Sequence, residues 1–292
     1  MAMKPAILYQ KKDKQGVQCE LCNHFCQIRP GHTGICRVRQ NINGELFSLN
    51  YGKVIAQHID PIEKKPLRRF LPHSFTYSIS SIGCNFRCLH CHNWDISQAD
   101  NRNLLVINDS LPEIAPEEII KEAIRHECPS ISYTYTEPTV FAEFALDCMK
   151  LAKKKKLKNI WVSNGYMSPK CLELVAPYLD AANIDLKAFK DETYHKVCGA
   201  KLQPVLDNLI WLKQNKIHLE VTTLIIPTIN DSADELKQIA DFIFDKLGAD
   251  TPWHVSAFYP ANKLIHLPIT PTKKVLEARE IGEQMGLKYV FG

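Results

Sequence analysis

From Phe75 onward, extended segments alternate with amphipathic ones, and this alternation limits the possible folds more than any other feature of the 292 residues. Strand character is found at 75–82, 130–136, 159–165, 181–189, 218–227 and 253–260. Helical periodicity falls at 116–127, 139–156, 168–179, 202–215, 233–248 and 270–286. Ser168-Pro169 and Ser232 supply start signals. Repeated βα units call for parallel strands joined by right-handed crossovers. The expected class is therefore α/β, with six units fitting a doubly wound sheet or a curved, incomplete barrel. Both collect ligands at the C-terminal strand ends. There the sequence places Cys84, Glu137-Pro138, Asn164-Gly165, Asp185 with Lys187, and Tyr259-Pro260.

Residues 1–70 are different: they lack long periodic runs, are rich in Cys, Gly and Pro, and read as a small cysteine-rich segment ahead of the unit at 71–292. An extended piece at 44–54 is expected in a hairpin. The charge is uneven too, with 12 Lys/Arg against 5 Asp/Glu in the first 70 residues of a chain whose net charge is +4. A basic face beside a redox site could steer an acidic electron-transfer protein, or it could be a solvated surface. No apolar run reaches the roughly 18 residues needed to span a bilayer, and the first residues lack a signal-peptide pattern. A cytoplasmic protein is expected, with no membrane or nucleic-acid partner.

Eleven cysteines in such a chain point to metal or packing more than to disulfides. Cys128, Cys148, Cys171 and Cys198 are scattered, as buried small hydrophobes usually are. The other seven form two groups. Cys84-x3-Cys88-x2-Cys91 follows the first strand directly. Thiolates are soft donors suited to iron–sulfur chemistry, and three on one loop would leave one iron of a 4Fe–4S cluster open. Zinc loops more often pair two Cys-x2-Cys knuckles, and here only His90 and His92 stand nearby. Cys19-x2-Cys22-x3-Cys26-x9-Cys36 is a four-thiolate set that could hold structural zinc or an auxiliary iron–sulfur cluster, with His24 and His32 as alternative ligands. So short a segment gains order from a metal.

The cysteine triplet, its place after a strand and the six βα units resemble the radical S-adenosylmethionine (SAM) superfamily. That likeness implies a partial (β/α)6 barrel, and a 4Fe–4S cluster on Cys84, Cys88 and Cys91. SAM would chelate the open iron and be cleaved to methionine and a 5′-deoxyadenosyl radical. The segments CNFRCLHCHNWD, VSNGYM, NIDLKAF and TTLIIPTIND resemble pyruvate formate-lyase activating enzymes. GVQCELCNHFCQIRPGHTGICRVRQN with HIDPIEKKPL resembles the radical SAM component of the AmmeMemoRadiSam system.

By position, the resemblance assigns SAM contacts to His90, His92, Glu137, Asn164, Gly165, Asp185 and Lys187. His90 stands where an aromatic residue usually meets adenine, and Glu137 where a Gly-Gly-Glu motif receives the SAM amino group. Ser163 replaces an acidic residue that activating enzymes use for a monovalent cation. Cys198 is either a packed thiol or a ligand or relay near the site. The implied activity is hydrogen abstraction from a protein, as in glycyl radical activation, or from a small molecule. The rival reading is a non-catalytic iron–sulfur or zinc-binding interaction protein. Implied partners are an electron donor such as flavodoxin or ferredoxin, and Memo-like and AMMECR1-like proteins.

Overall fold

The computed structural model describes residues 4–98 and 101–292. Among the described residues, one eight-stranded sheet runs in strict chain order. Its members are β1 (Val54–Pro61), β2 (Phe75–Ser81), β3 (Ser130–Tyr133), β4 (Lys158–Ser163), β5 (Ala181–Asp185), β6 (His218–Ile225), β7 (Trp253–Ala257) and β8 (Val290–Phe291). Only β1 pairs antiparallel, against β2; every later neighbour is parallel. Strands β2 to β7 are the six expected from the alternation, and the helices fall between them as the periodicity requires.

The helices that the periodicity calls for are α1 (Pro116–Arg125), α2 (Ala142–Lys154), α3 (Pro169–Val175), α4 (Gln203–Gln214), α5 (Ala233–Phe242) and α6 (Thr272–Gln284); a helix at Asn101–Ser110 and short turns at Trp94–Ser97 and Asp191–Thr193 were not expected. Ser168 and Ser232 accept hydrogen bonds from Cys171 N and Glu235 N, satisfying a free amide at the start of α3 and α5. The apolar faces turn inward: α2 buries Phe144, Ala145, Cys148 and Met149. Cys128, Cys148 and Cys171 are buried single thiols, the packing role their scattered positions suggest.

The N-terminal segment carries more regular structure than its composition advertises. It holds two three-stranded antiparallel sheets, Lys4–Pro5 with Glu45–Ser48 and Arg39–Ile42, and Tyr9–Lys11 with Val17–Cys19 and Gln27–Ile28. The hairpin turns at Asn43-Gly44, both left-handed (φ 51° and 87°), the geometry a two-residue turn requires. The extended stretch 44–54 therefore divides: its start returns along 39–42, whereas Val54 opens β1. That strand lies within residues 1–70, and its pairing with β2 carries this part of the segment into the barrel sheet.

Past β1 the chain closes one end of the barrel. Ile62 and Leu67 pack on Ile160 and Ala181 at the starts of β4 and β5. Asn183 Nδ2 donates to Pro66 O at 2.7 Å. The opposite end, where the strands finish, stays open.

Candidate functional site

Side chains on alternate positions of a strand share a face, so Thr222 and Leu224 of β6 reach the same side as Asp185 of β5. With the loop after β2, they line a cavity of about 350 Å³ at the C-terminal strand ends. Its walls include Cys84, Cys88, Cys91, His90, His92, Glu137, Asn164, Asp185 and Lys187. The candidate cluster and SAM residues except Gly165 are thus brought together, whereas Tyr259 and Pro260 do not line the cavity.

The loop carrying the triplet is fastened from several sides. Arg87 N donates to Cys198 O at 2.8 Å and Leu89 N to Val197 O at 2.9 Å. Cys88 O accepts from Gln98 Nε2 at 2.9 Å and from Asn262 Nδ2 at 3.1 Å. Around the sulfurs, Phe86 N donates to Cys84 Sγ at 3.4 Å, and Cys91 Sγ lies 3.4 Å from Ser97 Oγ. Burial, with the charge of Glu137 nearby, pushes the Cys84 thiol well up; burial also raises Cys91. Cys88 goes the other way. The Cys198 thiol hydrogen-bonds its sulfur, which lowers Cys88 and raises Cys198. Cys198, on the turn of helix at Tyr194–Cys198, is therefore a buried thiol in contact with the triplet.

Glu137 is only 2% exposed and its carboxylate is heavily used. Oε1 accepts from Thr139 N, Thr139 Oγ1 and Ser163 Oγ at 3.1, 2.6 and 2.8 Å, and Oε2 from Asn164 N at 2.8 Å. Burial nonetheless raises its pKa despite those donors. Glu137 thus fixes the turn after β4, with acceptor capacity left on Oε2 alone. Gly165 shapes the same turn at φ 73°, where a Cβ would stand 2.7 Å from Ile184 Cγ2.

On the far wall Lys187 Nζ pairs with Asp185 Oδ2 at 2.7 Å. Burial opposes its charge, but Asp185, Cys88 and Cys198 outweigh it, so the pKa stands well above the usual lysine value. His90 is buried with an unpartnered Nδ1. Burial first, then the neighbouring Lys187 and His92, press it down to about 3, so the ring is neutral. His92 is exposed at the rim.

Two contributors escaped the sequence reading. Asn85 accepts from Asn164 Nδ2 at 2.7 Å and from Cys84 Sγ at 3.8 Å, tying the loop to the turn after β4. Tyr135 lines the cavity with a left-handed backbone (φ 64°) and donates its hydroxyl to Asp60, which is also paired with Lys65 at 2.6 Å. The position of Asn85 beside Cys84 was a usable signal; the partners of Tyr135 lie 70 or more residues away and gave none.

The four N-terminal cysteines also converge, around a separate small cavity lined by Cys19, Cys22, Cys26 and Cys36. His24 reaches it but engages Asn85 O at 2.8 Å, and exposed His32 bonds Pro30 O. Among the described residues, no three Cys, His, Asp or Glu side chains are grouped to share one metal ion.

Residues 78–243 match the Radical SAM superfamily. The chain is 45% identical over 291 residues to an uncharacterised protein of Methanocaldococcus jannaschii, covering 99% of this chain and 84% of that one. It is 23% identical over 166 residues to the pyruvate formate-lyase 1-activating enzyme of Escherichia coli K12, covering 56% and 66%. Among solved structures, a radical SAM methyltransferase from Sphaerobacter thermophilus superposes with a TM-score of 0.54 at 12% identity, covering 76% of this chain and 66% of that one.

Proposed function

Because this chain belongs to the radical SAM superfamily, and is thereby an enzyme of SAM-dependent radical chemistry, we propose that Cys84, Cys88 and Cys91 hold its 4Fe–4S cluster with one iron left open for SAM. The observation that carries the proposal is the cavity itself. Three soft thiols of one loop face candidate SAM contacts from successive strand ends, in a space fit for a small cofactor. The neutral His90 ring, buried with a free Nδ1, also suits a ligand that needs a polar contact in a dry wall. A cluster held there supplies the electron that cleaves SAM to methionine and a 5′-deoxyadenosyl radical.

The side chains divide the remaining work. Lys187 offers its ammonium to the SAM carboxylate, exchanging part of its pairing with Asp185. His90 packs against the adenine, and Oε2 of Glu137 together with Asn164 orients the amino acid end. The barrel wall and the plug at 62–70 keep bulk water from the radical. Cys198 holds the Cys88 sulfur from behind.

The substrate is a hydrogen donor. A glycine of a partner protein is favoured by the likeness to an activating enzyme; a small molecule handled with Memo-like and AMMECR1-like proteins fits the N-terminal motifs. A flavodoxin or ferredoxin of the cytoplasm supplies the electron. Among the described residues no helix is long and apolar enough to cross a membrane. The test is label transfer. Reconstituted anaerobically with iron and sulfide, then given SAM, dithionite and extract from cells grown in deuterated medium, the enzyme should release deuterated 5′-deoxyadenosine. Product that stays unlabelled with every extract fraction would contradict hydrogen abstraction from a cellular substrate.

A further inference from the structure

Cys19, Cys22, Cys26 and Cys36 line one small cavity, about 10 Å³. Four soft thiols suit iron–sulfur chemistry, and inorganic sulfide would add acceptors that a zinc ion does not bring. The walls also present two unpaired donors. Arg39, 1% exposed, gives Nη1 to Glu143 and Nη2 to Ile7 O, yet its Nε has no partner. Asn85, also 1% exposed, uses its Oδ1 and leaves Nδ2 unpartnered. Both line this cavity. Buried donors without acceptors are costly, and sulfur atoms carrying negative charge would satisfy them.

This cavity adjoins the catalytic loop. Gly83, at φ 90°, packs so tightly that a Cβ would stand 2.9 Å from Cys36 O. Arg87 reaches Cys84 O at 2.8 Å with one amino group and Ile35 O with the other. Asn85 lines one cavity while bonding Cys84 and Asn164 of the next. Cys22 and Cys26 are partly exposed, and Phe25 and Ile35 are exposed.

We propose that Cys19, Cys22, Cys26 and Cys36 ligate a second iron–sulfur cluster that relays electrons to the centre at Cys84, Cys88 and Cys91. Arg39 Nε and Asn85 Nδ2 donate to its sulfurs. A low-potential flavin or iron–sulfur donor protein is oxidised by one electron, and the second cluster is reduced by that electron and reoxidised on passing it inward. No atom or proton changes place. The excess of Lys/Arg in residues 1–70 suits an acidic donor. The relay depends on the catalytic cluster proposed above; the existence of the second cluster does not.

Full-length wild type, a C84A/C88A/C91A variant and a C19A/C22A/C26A/C36A variant, each reconstituted anaerobically with iron and sulfide, separate the two claims. Each variant should bind about half the iron and sulfide of wild type and give one of two distinct EPR signals. Zinc, or neither iron nor sulfide, in a folded C84A/C88A/C91A variant overturns the second cluster. Iron in that variant, with none in a folded N-terminal variant, keeps the second cluster and instead overturns the catalytic assignment. Should the fourfold variant not fold, Cys26→Ser alters one partly exposed ligand; it should change the second signal and leave the catalytic one, and an unchanged spectrum counts against the proposal. Freeze-quench EPR of wild type mixed with reduced flavodoxin tests the relay: the second signal should rise first, and the reverse order overturns it.

Discussion

Lys187 shows how one side chain can be both charged and enclosed in this cavity. Its partner Asp185 sits 2.7 Å away, and the Cys88 sulfur favours the ammonium from the same side. Replacing it with alanine removes a charge-assisted contact to the SAM carboxylate and strands Asp185. SAM affinity should fall by roughly 1.5–3 kcal/mol, about 10- to 150-fold. Calorimetry on the cluster-loaded chain reads this directly, and an unchanged affinity would remove Lys187 from the SAM site. At this scale the sequence was most readable where chemistry depends on spacing alone, as at Cys84, Cys88 and Cys91. It was least readable where a residue's partners come from another strand. Glu137 is the instance: two of its four donors sit on Thr139, two residues along, but Ser163 Oγ and Asn164 N come from the end of β4, and only the fold shows that the four nearly fill its carboxylate.

The connecting element at 62–70 is a plug whose main anchor is Glu220, fully buried on β6. Its carboxylate accepts Arg68 N at 3.0 Å and Arg69 N at 2.8 Å, His218 Nε2 at 3.0 Å and His254 Nε2 at 2.6 Å. Burial alone would raise its pKa, but these four donors prevail and hold it down, from 4.5 to about 2. A depressed carboxyl stabilises the fold above its unfolded pKa and loses that contribution as pH falls through the folded one. Glu220→Gln should therefore cost roughly 2–3 kcal/mol at neutral pH. The gap to wild type should narrow between pH 4.5 and about 2. Urea unfolding at pH 7 and pH 3 checks this; a gap that does not change with pH would show that the charge of Glu220 is not what holds the plug. The alternation of βα units announced β2 to β7 and their helices, because buried parallel strands and amphipathic helices impose different periods. It did not announce β1, an edge strand whose polar stretch Gln57-His58 reads as loop until β2 is there to pair with it. Nor did it announce the N-terminal sheets, too short to show a period.

At the scale of the whole molecule, the barrel supplies a cavity closed at the N-terminal strand ends by the plug and open at the other, and the cysteine-rich lobe packs against the loop that carries the triplet. Strand order placed the candidate residues together before any side chain was considered, which is why a pattern read along the chain located most of the site. The docking of the lobe was not legible, because it depends on Gly83 letting Cys36 approach and on Arg87 reaching across. The central claim is that Cys84, Cys88 and Cys91 together make a cluster that cleaves SAM. The most direct measurement is 5′-deoxyadenosine and methionine formed from SAM and dithionite by anaerobically reconstituted wild type and by the Cys84→Ala, Cys88→Ala and Cys91→Ala chains. Wild type should form the two products in equal amounts, and each variant should form neither while keeping its fold. Near-normal product in any one variant, or none from a wild type that carries iron and sulfide and binds SAM, would contradict it.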